Sequence, residues 1–245
     1  MIFRIKEVEE TLSTNADLKR AAALGEKEGS VLVARRQSGG RGRLDRSFSS
    51  EEGGLYMSLL IELDPPMSAG LVTTYAAVAA AEALQRLSGL EVGIKWVNDL
   101  VVDGKKICGI LAESLVVDGK FKVVLGIGMN LTNTLPNELC HIATTVLSEC
   151  GKTIEPMEMA KAILEGFAGF KEADMGEMLD KYRHRCVIIG KKITVIPHSG
   201  EKYRAEALGV LDDGSLLVKR LCDGEEIRVF GGEVSTRLSE GKNES

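Results

Sequence analysis

The chain has 245 residues, 31 Lys and Arg against 36 Asp and Glu, and a formal net charge of −5. With 44% hydrophobic and 27% charged residues, its composition is that of an ordinary globular protein. That excludes a disordered tail, a collagen-like fibre and a disulfide miniprotein, and the acidic balance argues against a general nucleic-acid coat.

Five cysteines (Cys108, Cys140, Cys150, Cys186, Cys222) and three histidines are scattered, with no C-x-x-C spacing. Neither a structural zinc site nor a disulfide framework is expected, and a reducing, cytoplasmic location suits this usage. The N-terminus alternates apolar and charged residues without an apolar h-region, so no signal peptide is expected. The Ala-rich run from Ala69 to Leu87 carries Thr73, Thr74, Glu82, Gln85 and Arg86, which predicts a buried helix rather than a membrane span.

In chain order, Ile2 to Val8 predicts a first strand. Thr14 to Asp17 fits a capping box for a helix that runs to Leu24 and stops at Gly25. Ser30 to Ala34 predicts a strand, followed by a long polar, glycine-rich stretch of the kind that is functional or disordered. Leu55 to Leu63 returns to strand character. Ser68 caps a long helix to Ser88, ended by Gly89. Glu91 to Trp96 and Asp99 to Val102 predict strands meeting at a turn. Asp103-Gly104 and Asp118-Gly119 signal hairpins flanking Lys106 to Ser114 and Phe121 to Gly128. Thr153 to Arg185 is helical, split in two by its glycines.

Near Cys186 the composition shifts. Lys192 to Ile196, Tyr203 to Val210, Ser215 to Arg220 and Glu226 to Phe230 are short β-like runs punctuated by Asp213-Gly214 and Asp223-Gly224. They suggest a small barrel over 187–240 beside a main domain over 1–186. The final Gly-Lys-Asn-Glu-Ser is expected to fray.

Four stretches carry chemistry. Gly39-Gly40-Arg41-Gly42-Arg43, followed by Arg46, offers backbone amides and forked cations suited to phosphate or carboxylate. The alternative is a solvated basic loop. It is not a Walker A loop, since no G-x-x-x-x-G-K-[ST] occurs. Ile94-Lys95-Trp96-Val97-Asn98-Asp99 sets the only Trp among polar residues; strand alternation would point Lys95 and Val97 one way, Trp96 and Asn98 the other. A core Trp at a strand end is the plainer reading. Lys105-Lys106-Ile107-Cys108-Gly109-Ile110-Leu111 joins lysines to an apolar strand with a central Gly, where a ligand or another backbone approaches closely; a hairpin edge with solvated lysine is the alternative. Gly126-Ile127-Gly128-Met129-Asn130-Leu131 lacks the third Gly of a dinucleotide fingerprint and the helix that should follow.

Together with Ser13-Thr14-Asn15, these motifs occur in the order and spacing of the biotin protein ligases, which the chain resembles from Arg4 to about Leu131. The likeness extends weakly to Gly232-Glu233-Val234-Ser235. It implies an α+β fold: a mixed-sheet catalytic domain of the biotin/lipoate ligase type with a small C-terminal SH3-like β-barrel. It implies activation of biotin by ATP and Mg²⁺ to biotinyl-5′-AMP, then transfer to one lysine of a biotin carboxyl carrier protein. A homodimer, with no DNA or membrane partner, is expected.

Residue by residue, the resemblance sets Ser13, Thr14, Asn15 and Gln37 near biotin. Arg41, Gly42 and Arg43 match the loop closing over biotin and phosphate. Lys106 matches the lysine between the biotin carboxylate and the phosphate. Arg46, Lys95, Trp96, Asn98, Asp99 and Asn130 fall on the ATP side, and Lys106, Arg43 and Lys95 are the expected catalytic residues. No metal ligand is assigned. The chain departs from the family pattern at Val97, where Pro is usual, at Leu44-Asp45, where a Gly is lost, and at Phe48, where Trp is frequent.

Two other readings stay open. Arg35-Arg36-Gln37-Ser38-Gly39-Gly40 resembles a lipoate-ligase motif, against which stand Lys95 to Asp99 and Lys105 to Leu111. A non-catalytic binding module is the other. A DNA-binding repressor is not expected, because the residues before Ser13 are too few for a winged helix.

Overall fold

A computed structural model describes residues 1–43, 46–64, 68–197 and 200–235. Its centre is a seven-stranded mixed sheet. The strands are β1 (Arg4–Thr11), β2 (Ser30–Gln37), β3 (Leu55–Leu63), β4 (Gly93–Lys95), β5 (Asp99–Val102), β6 (Lys105–Val117) and β7 (Lys120–Met129), in the order β1-β2-β3-β7-β6-β5-β4. β1 and β2 are parallel and every other pairing is antiparallel. Helix α1 (Thr14–Ala23) makes the crossover between the parallel pair.

The tight turns follow from their residues. Asp103 and Gly104 have φ of 47° and 77°, and Asp118 and Gly119 have 50° and 75°. Two successive positive φ values match the twist of the flanking strands, which is why Asp-Gly turns β5 into β6 and β6 into β7.

Strand alternation sorts the two faces. On β3, Leu55, Met57, Leu59, Ile61 and Leu63 join the large core, whereas Leu60 packs with Val124, Leu18 and Ala22 under α1. The large core is completed by α2 (Ala69–Ser88), α4 (Pro156–Phe167) and α5 (Met175–Arg185). Helix α2 is buried along most of its length, which explains its near absence of charge. Ser68 Oγ accepts the Leu71 N–H, and Gly89 ends the helix at φ 82°. Among the described residues no helix is long and apolar enough to cross a membrane.

After Cys186 the chain enters a second, five-stranded antiparallel sheet of SH3-like type. It consists of β8 (Lys192–Ile196), β9 (Tyr203–Val210), β10 (Leu216–Arg220), β11 (Glu226–Val229) and β12 (Glu233–Ser235), in the order β11-β10-β9-β8-β12. Ile193, Val195, Ala207, Leu216 and Val218 belong to the same contiguous core as α2. The architecture is therefore the α+β fold expected: mixed sheet plus small C-terminal SH3-like unit.

Several local expectations need correction. The cap of α1 is Ser13, whose Oγ accepts from Ala16 N–H; Asp17 instead takes the Thr11 hydroxyl and Arg20. The helical stretch before Cys186 does split in two, into α4 and α5, but it starts at Pro156 rather than Thr153 and carries a 3₁₀ turn at Phe170–Glu172 between the helices. The strand expected from Glu91 is only Gly93–Lys95, and Trp96 to Asn98 form a turn with a cis Trp96–Val97 peptide. Alternation therefore does not sort those side chains. Helix α3 (Val146–Cys150), the 3₁₀ turn Asn137–Leu139 and β12 were not anticipated, being short and without periodic pattern. Leu44, Asp45 and the C-terminal Gly-Lys-Asn-Glu-Ser lie outside the described residues.

Candidate active site

A cavity lies on the α1 face of the main sheet, beneath the loop that joins β2 to β3. Its floor is made by missing side chains. Gly109 on β6 and Gly128 on β7 are register partners. A Cβ on Gly128 would stand 2.8 Å from the Phe48 ring, and one on Gly126 would stand 2.2 Å from Asn15 Oδ1. The glycines of the abortive dinucleotide motif thus clear space over a sheet instead of cradling a pyrophosphate.

One end of the cavity is polar and neutral. Thr14 donates its N–H (2.9 Å) and hydroxyl (3.1 Å) to Gln37 Oε1, and Gln37 Nε2 donates to Ser50 Oγ at 2.9 Å. Ser58 Oγ lies 2.8 Å from Thr14 Oγ1 and 2.6 Å from Asn15 Oδ1, its one proton shared between the two. Asn15 Nδ2 donates to Glu113 Oε2 at 2.8 Å, and Lys19 Nζ holds the other Glu113 oxygen at the same distance. Burial raises the Glu113 carboxyl, but the hydrogen bonds from Lys19 and Asn15 and the charges of Lys19 and Arg41 outweigh it, so its pKa lies below the ordinary value. Glu113 stays ionised and fixes the Asn15 amide. Sequence reasoning missed Glu113 and Ser58; an acid two residues past Leu111 on the same strand face was the available signal for the first.

The other end is cationic. Arg41, Arg43, Arg46, Lys95 and Lys106 line the cavity, with Asp99 the acidic side chain among the described lining residues. Lys106 Nζ lies 2.7 Å from Asp99 Oδ1 and 5.8 Å from the Phe48 ring centroid. Lys105 is exposed. The register of β5 and β6 shifts between Leu100 and Val101, so Val101 faces Lys106 and Leu100 faces Cys108. This bulge turns both Ile107 and Cys108 into the core and lets Lys106 share the cavity face with Gly109. A Cβ on Gly109 would come within 3.0 Å of Lys106 Nζ, so the lysine lies across the glycine.

The Trp96 turn is pinned from behind. Trp96 is 3% exposed and donates Nε1–H to Gly214 O of the second sheet at 3.0 Å. Tyr182 of α5 donates its hydroxyl to Val97 O at 2.9 Å. Asn98 Nδ2 donates to Ile110 O at 2.6 Å, while Asn98 Oδ1 accepts from Arg43 Nη1 at 3.4 Å. Trp96 is at once a core residue and a wall of the cavity.

Of the residues singled out in the sequence, Ser13, Thr14, Asn15, Gln37, Arg41, Gly42, Arg43, Arg46, Lys95, Trp96, Asn98, Asp99 and Lys106 all line this one cavity. Asn130 does not: it is 4% exposed, and its side chain meets Thr144 and Asn133. Phe48, Tyr56, Gly232 and Val234 line it as well, so the second sheet closes one side. No histidine or cysteine occurs among the described lining residues. Cys108 lies beneath the floor, where burial pushes its thiol well up. The cluster of cations suits binding an anion or two anions together.

The profile of the biotin/lipoate A/B protein ligase family matches residues 8–130. The chain is 32% identical over 241 residues to the biotin–[acetyl-CoA-carboxylase] ligase of Mycobacterium tuberculosis, covering 93% of this chain and 86% of that one. It is 32% identical over 202 residues to the bifunctional ligase/repressor BirA of Bacillus subtilis, covering 78% of this chain and only 62% of that relative. A biotin protein ligase from Aquifex aeolicus, solved in complex with biotin and ATP, matches with a TM-score of 0.78 at 29% identity, over 95% of this chain and 97% of that one. With fold, cavity and sequence in agreement, the chain belongs to the biotin/lipoate A/B protein ligase family, among its biotin protein ligases.

Proposed function

We propose that the chain activates biotin with ATP and passes the biotinyl group to a lysine of a biotin carboxyl carrier protein. The observation that carries this is one continuous cavity with a neutral polar end at Thr14, Asn15 and Gln37 and a cationic end at Arg41, Arg43, Lys95 and Lys106. A ureido ring needs neutral donors and acceptors; a carboxylate meeting a triphosphate needs cations.

In the first step a biotin carboxylate oxygen attacks the α-phosphorus and pyrophosphate leaves. Two anions repel on approach, and Lys106 between them gains strength as charge moves onto the phosphate oxygens. Arg43 and Lys95 add to that field, and Arg41, Gly42 and Arg43 close over the mixed anhydride. Arg46, Trp96, Asn98 and Asp99 form the nucleotide side, and Ser13 caps the helix that presents Thr14 and Asn15. In the second step the carrier's lysine amine attacks the acyl carbon, AMP leaves and the amine gives up a proton. The chain supplies positioning and charge throughout.

Mg²⁺ fits this reading. Among the described residues no group of three His, Cys, Asp or Glu could hold a metal, but Mg²⁺ carried by phosphates needs only one or two carboxylates. Asp99 is the side chain that would meet it, where it would neutralise phosphate charge. The five cysteines are all free thiols, which supports a reducing, cytoplasmic setting. We further propose a homodimer, tested by sedimentation, and a domain boundary between residues 186 and 187, where the chain passes from α5 to the second sheet.

The test is pyrophosphate release with biotin, lipoate and octanoate in one assay. Release with biotin well above the other two is expected. Preference for lipoate or octanoate transfers the reading to a lipoate-type ligase, and no release with any acid leaves a binding module.

A further inference from the structure

Glu113 and Ser58 stand behind the neutral end of the cavity, not in its lining. Between them the amide of Asn15 lies across β7 at Gly126. That glycine is the register partner of Ser58 on β3 and of Leu111 on β6, and a Cβ on it would stand 2.2 Å from Asn15 Oδ1. Thr14, Asn15 and Ser58 are all buried, so each proton in this group needs a partner.

The charge on Glu113 sets the direction of the bonds. Asn15 Nδ2 stands 2.8 Å from Glu113 Oε2 and 3.4 Å from Leu111 O, both of them acceptors only. Turning the amide over would set Oδ1 against a carboxylate, so Nδ2 stays there and Oδ1 faces Ser58. The Ser58 hydroxyl has one proton for two neighbours, and the shorter contact, 2.6 Å, is to Asn15 Oδ1. Its 2.8 Å contact with Thr14 Oγ1 is then filled by the Thr14 proton, which lies between Ser58 Oγ and Gln37 Oε1. Thr14 thus spends its proton on the protein and presents lone pairs to the cavity. Each donation makes the donating oxygen a better acceptor, so a chain of bonds ending on a carboxylate strengthens Thr14 Oγ1 at its far end. Lys19 Nζ, 2.8 Å from Glu113 Oε1, holds the carboxylate in place.

We propose that Glu113 is a positioning residue that sets substrate specificity: through Asn15 and Ser58 it makes Thr14 an acceptor, so that the neutral end selects a carboxylic acid bearing an N–H donor. A ureido ring has such donors; the dithiolane of lipoate and the alkyl chain of octanoate have none. The proposal rests on reading that end as the biotin side of the site.

Calorimetry with biotin and its two cyclic-carbamate analogues, each with one ureido N–H replaced by oxygen, reads the effect. Wild type should bind biotin roughly a hundredfold tighter than the carbamate it rejects more strongly, since two acceptors then face each other. Glu113→Gln keeps the shape, but Lys19 takes the new amide oxygen and Nε2 turns to Asn15. The Asn15 amide turns over, Ser58 passes its proton to Thr14, and the preference for biotin should drop to about tenfold or less. A role in packing alone would weaken both ligands together, so an unchanged ratio overturns the proposal. Ser58→Ala cuts the chain of bonds in the middle and should lower the ratio as well; adding Glu113→Gln to it should lower the ratio no further. A further drop there overturns the proposal, and a wild-type ratio in Ser58→Ala does so even where Glu113→Gln fails to fold. Equal binding of all three ligands by wild type, or binding of none, overturns it too. Binding needs no chemistry, so wild type that binds biotin yet releases no pyrophosphate strikes at the proposed function and not at this proposal.

Discussion

Lys105 and Lys106 are neighbours with opposite fates. Lys106 reaches Asp99 inside the cavity, whereas Lys105 starts β6 in solvent. Lys106→Ala should therefore cut pyrophosphate release by orders of magnitude, with a milder effect on biotin binding, and Lys105→Ala should be nearly silent. Steady-state kinetics of the two variants checks this, and equal losses would mean that the bulge aims neither as described. Arg43 is the residue expected to separate the two half-reactions. It belongs to the closing loop and donates to Asn98. Arg43→Gly deletes a charged donor worth about 1.5–3 kcal/mol, roughly ten- to a hundredfold in adenylate retention. The variant should form adenylate but release it, so that bystander protein becomes labelled; adenylate held as tightly as by wild type removes Arg43 from this role. At this scale much of the site was legible, because cations, glycines and amides at fixed spacing carry chemistry in their identities. Asn130 was legible from its motif but its partner was not, since Thr144 is brought near only by the fold.

At the scale of elements, hairpins and capped helices could be read directly. Asp103-Gly104 and Asp118-Gly119 supply the positive φ values their turns require, and Ser68 with Gly89 brackets α2. What could not be read was a change of direction forced by tertiary contact. Trp96 to Asn98 look like a continued strand, but Gly214 O from the second sheet and Tyr182 from α5 hold them as a turn. The β6 bulge is similar: no residue in Lys106-Ile107-Cys108 announces it, and it arises from pairing with β5 on one side and Ile142–Thr144 on the other. Trp96→Phe isolates one such contact. The aromatic packing is largely kept, but Gly214 O loses its donor, and a cost of about 1–3 kcal/mol is expected. Denaturant unfolding measures it; a variant as stable as wild type would show that the bond between turn and second sheet contributes nothing.

Across the whole molecule, the two sheets share one core and one cavity, since Gly232 and Val234 line the site built by the main sheet. The sequence separated them by a composition shift at Cys186 but gave no sign of that shared wall. Charge also acts at this scale. Hydrogen bonding to Arg220 lowers Asp223 to about 2. The bonds from Lys120 to Glu62 and from Ser215 to Asp213 lower those carboxyls, and Glu113 is lowered too. A carboxyl lowered in the folded chain binds protons more readily when unfolded, so its stabilisation is present above the unfolded pKa and is lost as pH falls through the folded one. The thermal midpoint should accordingly decline from about pH 5 downward while staying level toward neutrality; a midpoint rising with acidification would contradict these assignments. The activity itself is tested most directly by incubating the protein with ATP, a biotin carboxyl carrier domain, and biotin, lipoate and octanoate together, then weighing the carrier by mass spectrometry. The account predicts one biotinyl group on one lysine. An unmodified carrier, or one bearing a lipoyl or octanoyl group, contradicts it.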